Sequence, residues 1–445
     1  MTFHNGAPWN ATQAKFWIDL FGDEETAGHF NSNDFSFHGV IGGEVVDDLT
    51  LNINCGKPCP ILPRTTIFTK FQDVGWFEAA SEDEILRNSA SLGPYQIVKW
   101  DPGIKVELEA YEDYQPNPAT VFARAPSIKY VVQQSRNDAL VRASALQAGE
   151  ADRAEISLDD RHRVPKWKAA TNNEVFRWTI DTLYDPELSK VNVREALNLA
   201  YDCETVLAVL YDGLVECYGN IAQVGTVGIT PANSAPHGYN TARARELLEE
   251  ANYDFDHKIS LTMRNGRVPK DVEVGEAMVS SWQEIGMDIE LNVVESSIYN
   301  EVYRSSCGYQ RTKEDFANVQ GSKLEEKCLS MGPSGPRFIS SQLVGGPTST
   351  ESLDYSRRAA LRNSCYSRSS GICEQALEDQ LDEANAEPTG ATRVKLQEAV
   401  ATHVHGHFHS IHGFQVVSIY ALSENLEWEP TYAPRIRANT MFFTK

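Results

Sequence analysis

Between Ser91 and Tyr114 the chain alternates between hydrophobic and polar positions, turns, and alternates again. Tyr95, Ile97 and Lys99 interleave with Gln96, Val98 and Trp100; Asp101-Pro102-Gly103 is a turn signal; Val106, Leu108 and Ala110 then interleave with Lys105, Glu107 and Glu109. A period of two around a Pro-Gly turn predicts a β-hairpin. The same period predicts strands over 44–54, 128–133, 175–182, 257–263, 287–294 and 414–421. Helical spacing appears over 138–149, where Ala139, Leu140, Ala143 and Leu146 share a face and Gly149 supplies the stop. It returns over 191–204, with Val193, Ala196, Leu197 and Ala200 inward and Arg194 and Glu195 outward. Further helices are predicted over 242–253, 271–286, 374–387 and 392–403. Asn252 stands near the end of the 242–253 helix, and asparagine tolerates the left-handed conformation that helix stops adopt. Strands alternating with helices predict an α/β fold. From 295 to about 355 the chain is rich in Ser, Gly and Pro and reads as long loops.

The totals narrow the function. A chain of 445 residues has room for two or three domains and a large core. A net charge of −22 argues against a nucleic-acid partner, because a phosphate backbone needs a basic face. No run of about 18 apolar residues marks a membrane span. Eight cysteines include two local pairs, Cys55/Cys59 and Cys365/Cys373. Pairs this tight, without matching zinc-ligand spacing, are disulfide candidates and fit an oxidising compartment.

Particular phrases then carry a resemblance. Gly93-Pro94-Tyr95 with Trp100-Asp101-Pro102-Gly103, Phe3-His4-Asn5-Gly6 with Pro8 and Ala11, Leu146 with Gly149-Glu150 and Asp152, and Val193-Arg194 with Ala196-Leu197 occur in a fixed order. Gly238-Tyr239 with Leu247-Leu248 and Glu284-Ile285-Gly286 extend it. In order and spacing this resembles the family 5 extracellular solute-binding proteins, the peptide-type receptors of ABC importers. The resemblance implies a two-lobed periplasmic-binding-protein-like fold of type II with an extra subdomain in lobe one. Lobe one is expected over 1–175 plus 418–445, without its first strands, and lobe two over 176–417. The hairpin is expected where the chain re-enters the main sheet of lobe one. The opening residues carry no export signal or lipid-anchor cysteine, so a preceding segment is expected.

Function follows from the resemblance as expectation: a peptide or similar small solute held between the lobes and delivered to a membrane permease. The receptor is expected to be monomeric, periplasmic or extracellular, without cofactor and without catalysis. In peptide-binding relatives a carboxylate of the second lobe meets the ligand's α-amino group; Asp315 stands nearest that stretch, with Tyr309 and Arg311 as pocket neighbours, although the motif is not intact here. Trp178 lies by the predicted crossover as a further ligand candidate, or as core. No phosphate-binding loop, H-E-x-x-H or nucleophile elbow occurs. One feature stands outside the family pattern: His403, His405, His407 and His409 alternate, with His412 just beyond. On a strand they would share one face and suit nickel, copper or zinc, which opens the alternative of a metal-binding protein or metal-dependent hydrolase. At a helix end running into a loop, the reading favoured here, the rings would splay apart.

Overall fold

The computed structural model describes residues 1–23, 39–60, 62, 71–117, 124–180, 182, 185–264, 266, 268–295, 342–349, 355–356, 359, 363–364, 372, 374–431 and 437–444. The chain forms two compact units, Met1–Ala170 with Ser418–Lys445, and Thr171–Val417.

In the first unit, helix α1 (Ala11–Gly22) begins where Asn10 accepts a hydrogen bond from the Gln13 amide at 3.0 Å. Its apolar stripe, Trp17, Ile18 and Phe21, packs with Val40 beside strands β1 (Val40–Asp47) and β2 (Thr50–Cys55). The stretch expected as one strand over 44–54 is therefore a hairpin. Its bend is local chemistry: the Asp47 carboxylate accepts from the Leu49 amide at 2.8 Å, which reverses the chain without glycine. The expected Cys55–Cys59 disulfide closes the end of β2. Cys365 and Cys373 lie outside the described residues. Helices α2 (Val74–Ala79) and α3 (Glu82–Arg87) follow. Buried Asp73 ties α2 to the N-terminus, accepting from Asn5 Nδ2 and the Trp76 amide at 2.9 Å and from Gln13 Nε2 at 3.0 Å. Burial alone would raise its carboxyl, but these hydrogen bonds outweigh it and hold the group below its ordinary value.

The hairpin predicted from alternation is present as β3 (Tyr95–Asp101) and β4 (Lys105–Ala110). Its place differs from the expectation. Among the described residues β4 turns its other edge to β5 (Tyr130–Gln134), giving a separate three-stranded antiparallel sheet. Period-two patterning specifies the hairpin register but says nothing about which sheet receives it. Helix α4 (Ala139–Gln147) is capped by Asp138 and ends at Gly149, whose φ is +73°. Strand β6 (Arg153–Ile156) then pairs antiparallel with Ile419–Leu422. Around that pairing Tyr420, Leu422, Leu426, Trp428 and Met441 form a core, and the Arg153 guanidinium lies 4.5 and 4.7 Å from the Tyr420 and Trp428 ring centres.

The chain enters the second unit along β7 (Lys166–Ile180). Helices α5 (Val191–Leu199) and α6 (Cys203–Leu210), short strand β8 (Cys217–Tyr218) and helix α7 (Thr241–Glu250) follow. Asn252 ends the α7 segment with φ +47°, as its position predicts. A second disulfide, Cys203–Cys217, joins α6 to β8, a pairing the sequence spacing did not suggest. Strand β9 (Lys258–Arg264), helix α8 (Asp271–Glu284) and strand β10 (Asp288–Val294) form a parallel βαβ unit. Within the stretch read as loops, β11 (Gln342–Ser349) is a strand: it fills the slot between β9 and β7 despite two glycines and a proline. Pairing on both edges supplies what its own sequence lacks. Helices α9 (Gln375–Ala386) and α10 (Ala391–Gly406) lead into β12 (Ser410–Leu422), which carries the chain back to the first unit. The strand order is β10-β9-β11-β7-β12, with β8 on Gly413–Phe414 of β12.

The approach of β12 to β7 is tight at one point. A Cβ added at Gly413 would overlap the Phe176 carbonyl oxygen. Gly413→Ala should therefore cost on the order of 3 kcal/mol or more, since neither strand can retreat inside a packed sheet. Equilibrium unfolding in urea checks this; a loss below about 1 kcal/mol would show that the backbone relaxes freely.

Candidate functional site

Helix α10 runs further than its hydrophobic pattern suggests. Its buried face is Arg393, Gln397, Val400, Ala401 and Val404, and it continues through His403 and His405 to Gly406. The His407 amide still donates to the His403 carbonyl at 3.0 Å. Phe408 then takes a left-handed conformation, φ +51°, which swings the chain into β12. This path sorts the alternating histidines. Residues four apart on a helix share a face and residues two apart do not. The His403 and His407 rings thus lie against each other, with centres 4.1 Å apart and planes tilted by 35°, while His405 points elsewhere. The turn at Phe408 brings His409 back to the first pair.

The expected splaying of the rings is thus corrected: three of them converge on one carboxylate. Glu374, just ahead of α9, meets His403 Nε2 and His409 Nε2 at 2.9 Å and His407 Nδ1 at 2.7 Å. Arg194 Nη2 reaches the same carboxylate at 3.2 Å. Burial alone would raise the Glu374 carboxyl; the hydrogen bonds from His403, His409 and His407 and the charge on His409 overcome it, so the group stays ionised far below its ordinary range. Burial pushes His409 down to about 4, opposed by Glu374. The donor atoms of Glu374, His403, His407 and His409 all lie within 4.8 Å of one another.

Arg194, placed on the outer face of its helix by spacing, is instead 1% exposed. Every arm of its guanidinium is used: Nε donates to the His407 carbonyl at 3.0 Å, Nη1 to the Leu188 and Ser189 carbonyls at 3.1 and 2.8 Å, and Nη2 to Glu374. A guanidinium can be buried when each N–H finds an acceptor, which hydrophobic periodicity does not detect. Glu374 was likewise invisible as more than the first residue of a helix.

His405 belongs to a second group with His237 and His412. The His237 ring lies 4.2 Å from the His405 ring and 5.0 Å from the His412 ring. His405 Nε2 is engaged by the Ala235 carbonyl at 2.9 Å, and His412 Nε2 accepts from the His237 amide at 3.0 Å. These contacts occupy one ring nitrogen of His405 and one of His412. Cys203 and Cys217 lie beside His412, but their sulfurs are joined to each other. The other ligand candidates divide in two. Trp178 is 1% exposed; its indole N–H is directed at the Met278 sulfur and its ring stands edge-on to Phe176 at 4.3 Å. It belongs to the core of the second unit, because β7 is covered on that face by α8. Tyr309, Arg311 and Asp315 lie outside the described residues.

The His237–His412 contact has a pH signature. Burial, then the neighbouring charge of His405, holds His412 down to about 3. A histidine with a depressed folded-state value binds its proton more readily when unfolded. Its contribution to stability is complete above about pH 6.5 and is lost as pH falls toward 3. His412→Gln should therefore flatten the decline of unfolding free energy between about pH 6.5 and 4, measured by urea melts across that window. Parallel declines in the two proteins would contradict the assignment.

Comparison with known proteins adds the family. The description "Bacterial extracellular solute-binding proteins, family 5 Middle" matches residues 1–317. The chain is 24% identical over 383 residues to a Brucella ovis protein provisionally named an ABC transporter peptide-binding protein, covering 79% of this chain and 68% of that one. Its fold is similar to that of the ABC transporter substrate-binding protein CtaP of Listeria monocytogenes, with a TM-score of 0.79 at 17% identity, covering 100% of this chain and 86% of that one. It is similar too to the oligopeptide-binding protein AppA of Bacillus subtilis in complex with a nonapeptide, with a TM-score of 0.71 at 15% identity, covering 100% and 85%. These neighbours are two-lobed binding proteins, and the chain has their mixed α/β fold. On the match over residues 1–317, the chain belongs to the family 5 bacterial extracellular solute-binding proteins.

Proposed function

We propose that this chain is the extracytoplasmic substrate-binding component of an ABC importer. It captures a peptide or similar small solute between two lobes, the units Met1–Ala170 with Ser418–Lys445 and Thr171–Val417, and presents it to a membrane permease. The observation that carries this reading is the family match over residues 1–317. Two others support it. The chain passes between the units twice, at Ala170–Thr171 and Val417–Ser418, which is the connection a hinged receptor needs. The disulfides Cys55–Cys59 and Cys203–Cys217 suit a periplasmic or extracellular location. In this reading the protein works as a monomer, binds no nucleic acid and shifts between open and closed populations without transforming its ligand. A metal-dependent hydrolase built on the histidines is disfavoured by the same family match.

Native mass spectrometry of protein purified from its source, followed by thermal-shift titration with short peptides, tests the proposal. A co-purifying peptide-sized ligand, or saturable stabilisation of about 2–4 kcal/mol at 100- to 1,000-fold excess over Kd, is expected. Stabilisation by no peptide and no co-purified solute, or turnover of a bound ligand, would overturn it.

A further inference from the structure

The two oxygens of Glu374 keep different company. Oε1 accepts from Arg194 Nη2 at 3.2 Å and His409 Nε2 at 2.9 Å, on side chains 1% and 0% exposed. Oε2 meets His403 Nε2 at 2.9 Å and His407 Nδ1 at 2.7 Å, and the His407 side chain is 46% exposed. One oxygen is therefore fixed from inside the protein, while the other faces two imidazoles at a solvent-reachable rim. Arg194 already balances the charge of Glu374. The second pair of imidazoles exceeds what a single carboxylate needs for its own burial.

That surplus has the form of a ligand set. Histidines at i and i+4 place two ring nitrogens where one ion can reach both, and His403 and His407 hold that spacing with ring centres 4.1 Å apart. The site lies at the C-terminal end of α10, where the helix dipole favours a cation. Two imidazole nitrogens and one carboxylate oxygen, without thiolate, suit a borderline divalent ion such as zinc or nickel.

We propose that Glu374 Oε2, His403 Nε2 and His407 Nδ1 bind a zinc-type divalent ion, with His409 and Arg194 holding the carboxylate from behind. Ligand bonds of about 2.0–2.2 Å separate tetrahedral donors by about 3.3–3.6 Å, so the present contacts open by about 0.4–0.9 Å when the ion replaces the shared protons. His409 is assigned to the supporting role on separate grounds. Its Nδ1 is buried and has no hydrogen-bond partner. The ring therefore keeps its proton on Nε2 and donates it to Oε1. Ligation through Nε2 would drive that proton onto a nitrogen facing nothing. Buried groups that orient a ligating carboxylate in this way tune affinity without touching the ion.

The site is remote from the crossing between the units. His409 precedes Val417 by eight residues of nearly continuous strand, roughly 25 Å. Bound there, the ion ties the residue ahead of α9 to the last turn of α10 and clamps that helix pair, which stabilises the folded state alone.

Chelator-treated, tag-free protein titrated with zinc chloride by calorimetry tests the site, with cobalt chloride as a spectroscopic probe of geometry. One equivalent should bind and raise the melting temperature, and cobalt should give tetrahedral d–d bands. His407→Ala, at the half-exposed position, should fold normally and lose affinity at least a hundredfold; Glu374→Gln should lose it too. His409→Gln should keep one equivalent bound with an affinity about 10–100-fold weaker. His405→Ala should bind as the unsubstituted protein does. Absence of saturable binding, or undiminished binding by His407→Ala, would overturn the site. Complete loss in His409→Gln, or loss in His405→Ala, would overturn the ligand assignment.

Discussion

The second unit depends on two strands lying side by side with almost no room between them. β7 brings the chain in and β12 takes it out, and they are neighbours in the sheet. At Gly413 the Phe176 carbonyl fills the space a side chain would occupy. β12 is buried along nearly its whole length, and so is the described part of β7 within the second unit. Such strands accept only hydrophobic or fully paired side chains, so their neighbours are fixed in turn. Trp178 is core for this reason: it sits on a strand with no free face.

The polar groups of the second unit follow the same constraint. Arg194 and His409 are buried beside the start of β12, where a lone guanidinium charge or an unpaired ring N–H would be costly. Arg194 survives because Glu374 and three backbone carbonyls accept its donors, and His409 because its Nε2–H meets the same carboxylate. The ionised carboxylate, in turn, is held by the four side chains that surround it. Removing Glu374 would leave Arg194 Nη2 and His409 Nε2 buried without their acceptor, so this carboxylate fixes the junction of α5, α9, α10 and β12 in one arrangement. His412 and His237 do the opposite with the same residue type: they stay neutral, one accepting from the other's amide. Identical imidazoles thus serve a carboxylate in one place and a backbone amide in the other, according to the partners within reach.

Much of this was legible in the sequence, and the physical reasons separate what was from what was not. The hairpin at β3 and β4, the Asp138 and Gly149 boundaries of α4, and the left-handed Asn252 follow from local rules, and local rules act within a few residues. The family likewise follows from motifs whose order does not depend on packing. What escaped were relations between distant positions: Cys203 with Cys217, Arg194 with Glu374, β11 in its slot. The β1–β2 bend escaped for a different reason, since Asp47 makes the turn with a side chain that alternation counts as merely polar. The four alternating histidines show both sides. Their spacing announced possible chemistry, but only the helical path through His405 and the turn at Phe408 decide which rings meet.

The central claim is that a solute is held between two units joined by β7 and β12. Small-angle X-ray scattering, with and without the peptide that stabilises the protein most, tests it directly. The account predicts a smaller radius of gyration at saturation, with the far-ultraviolet circular dichroism unchanged. A saturating peptide that leaves the radius of gyration unaltered would contradict it.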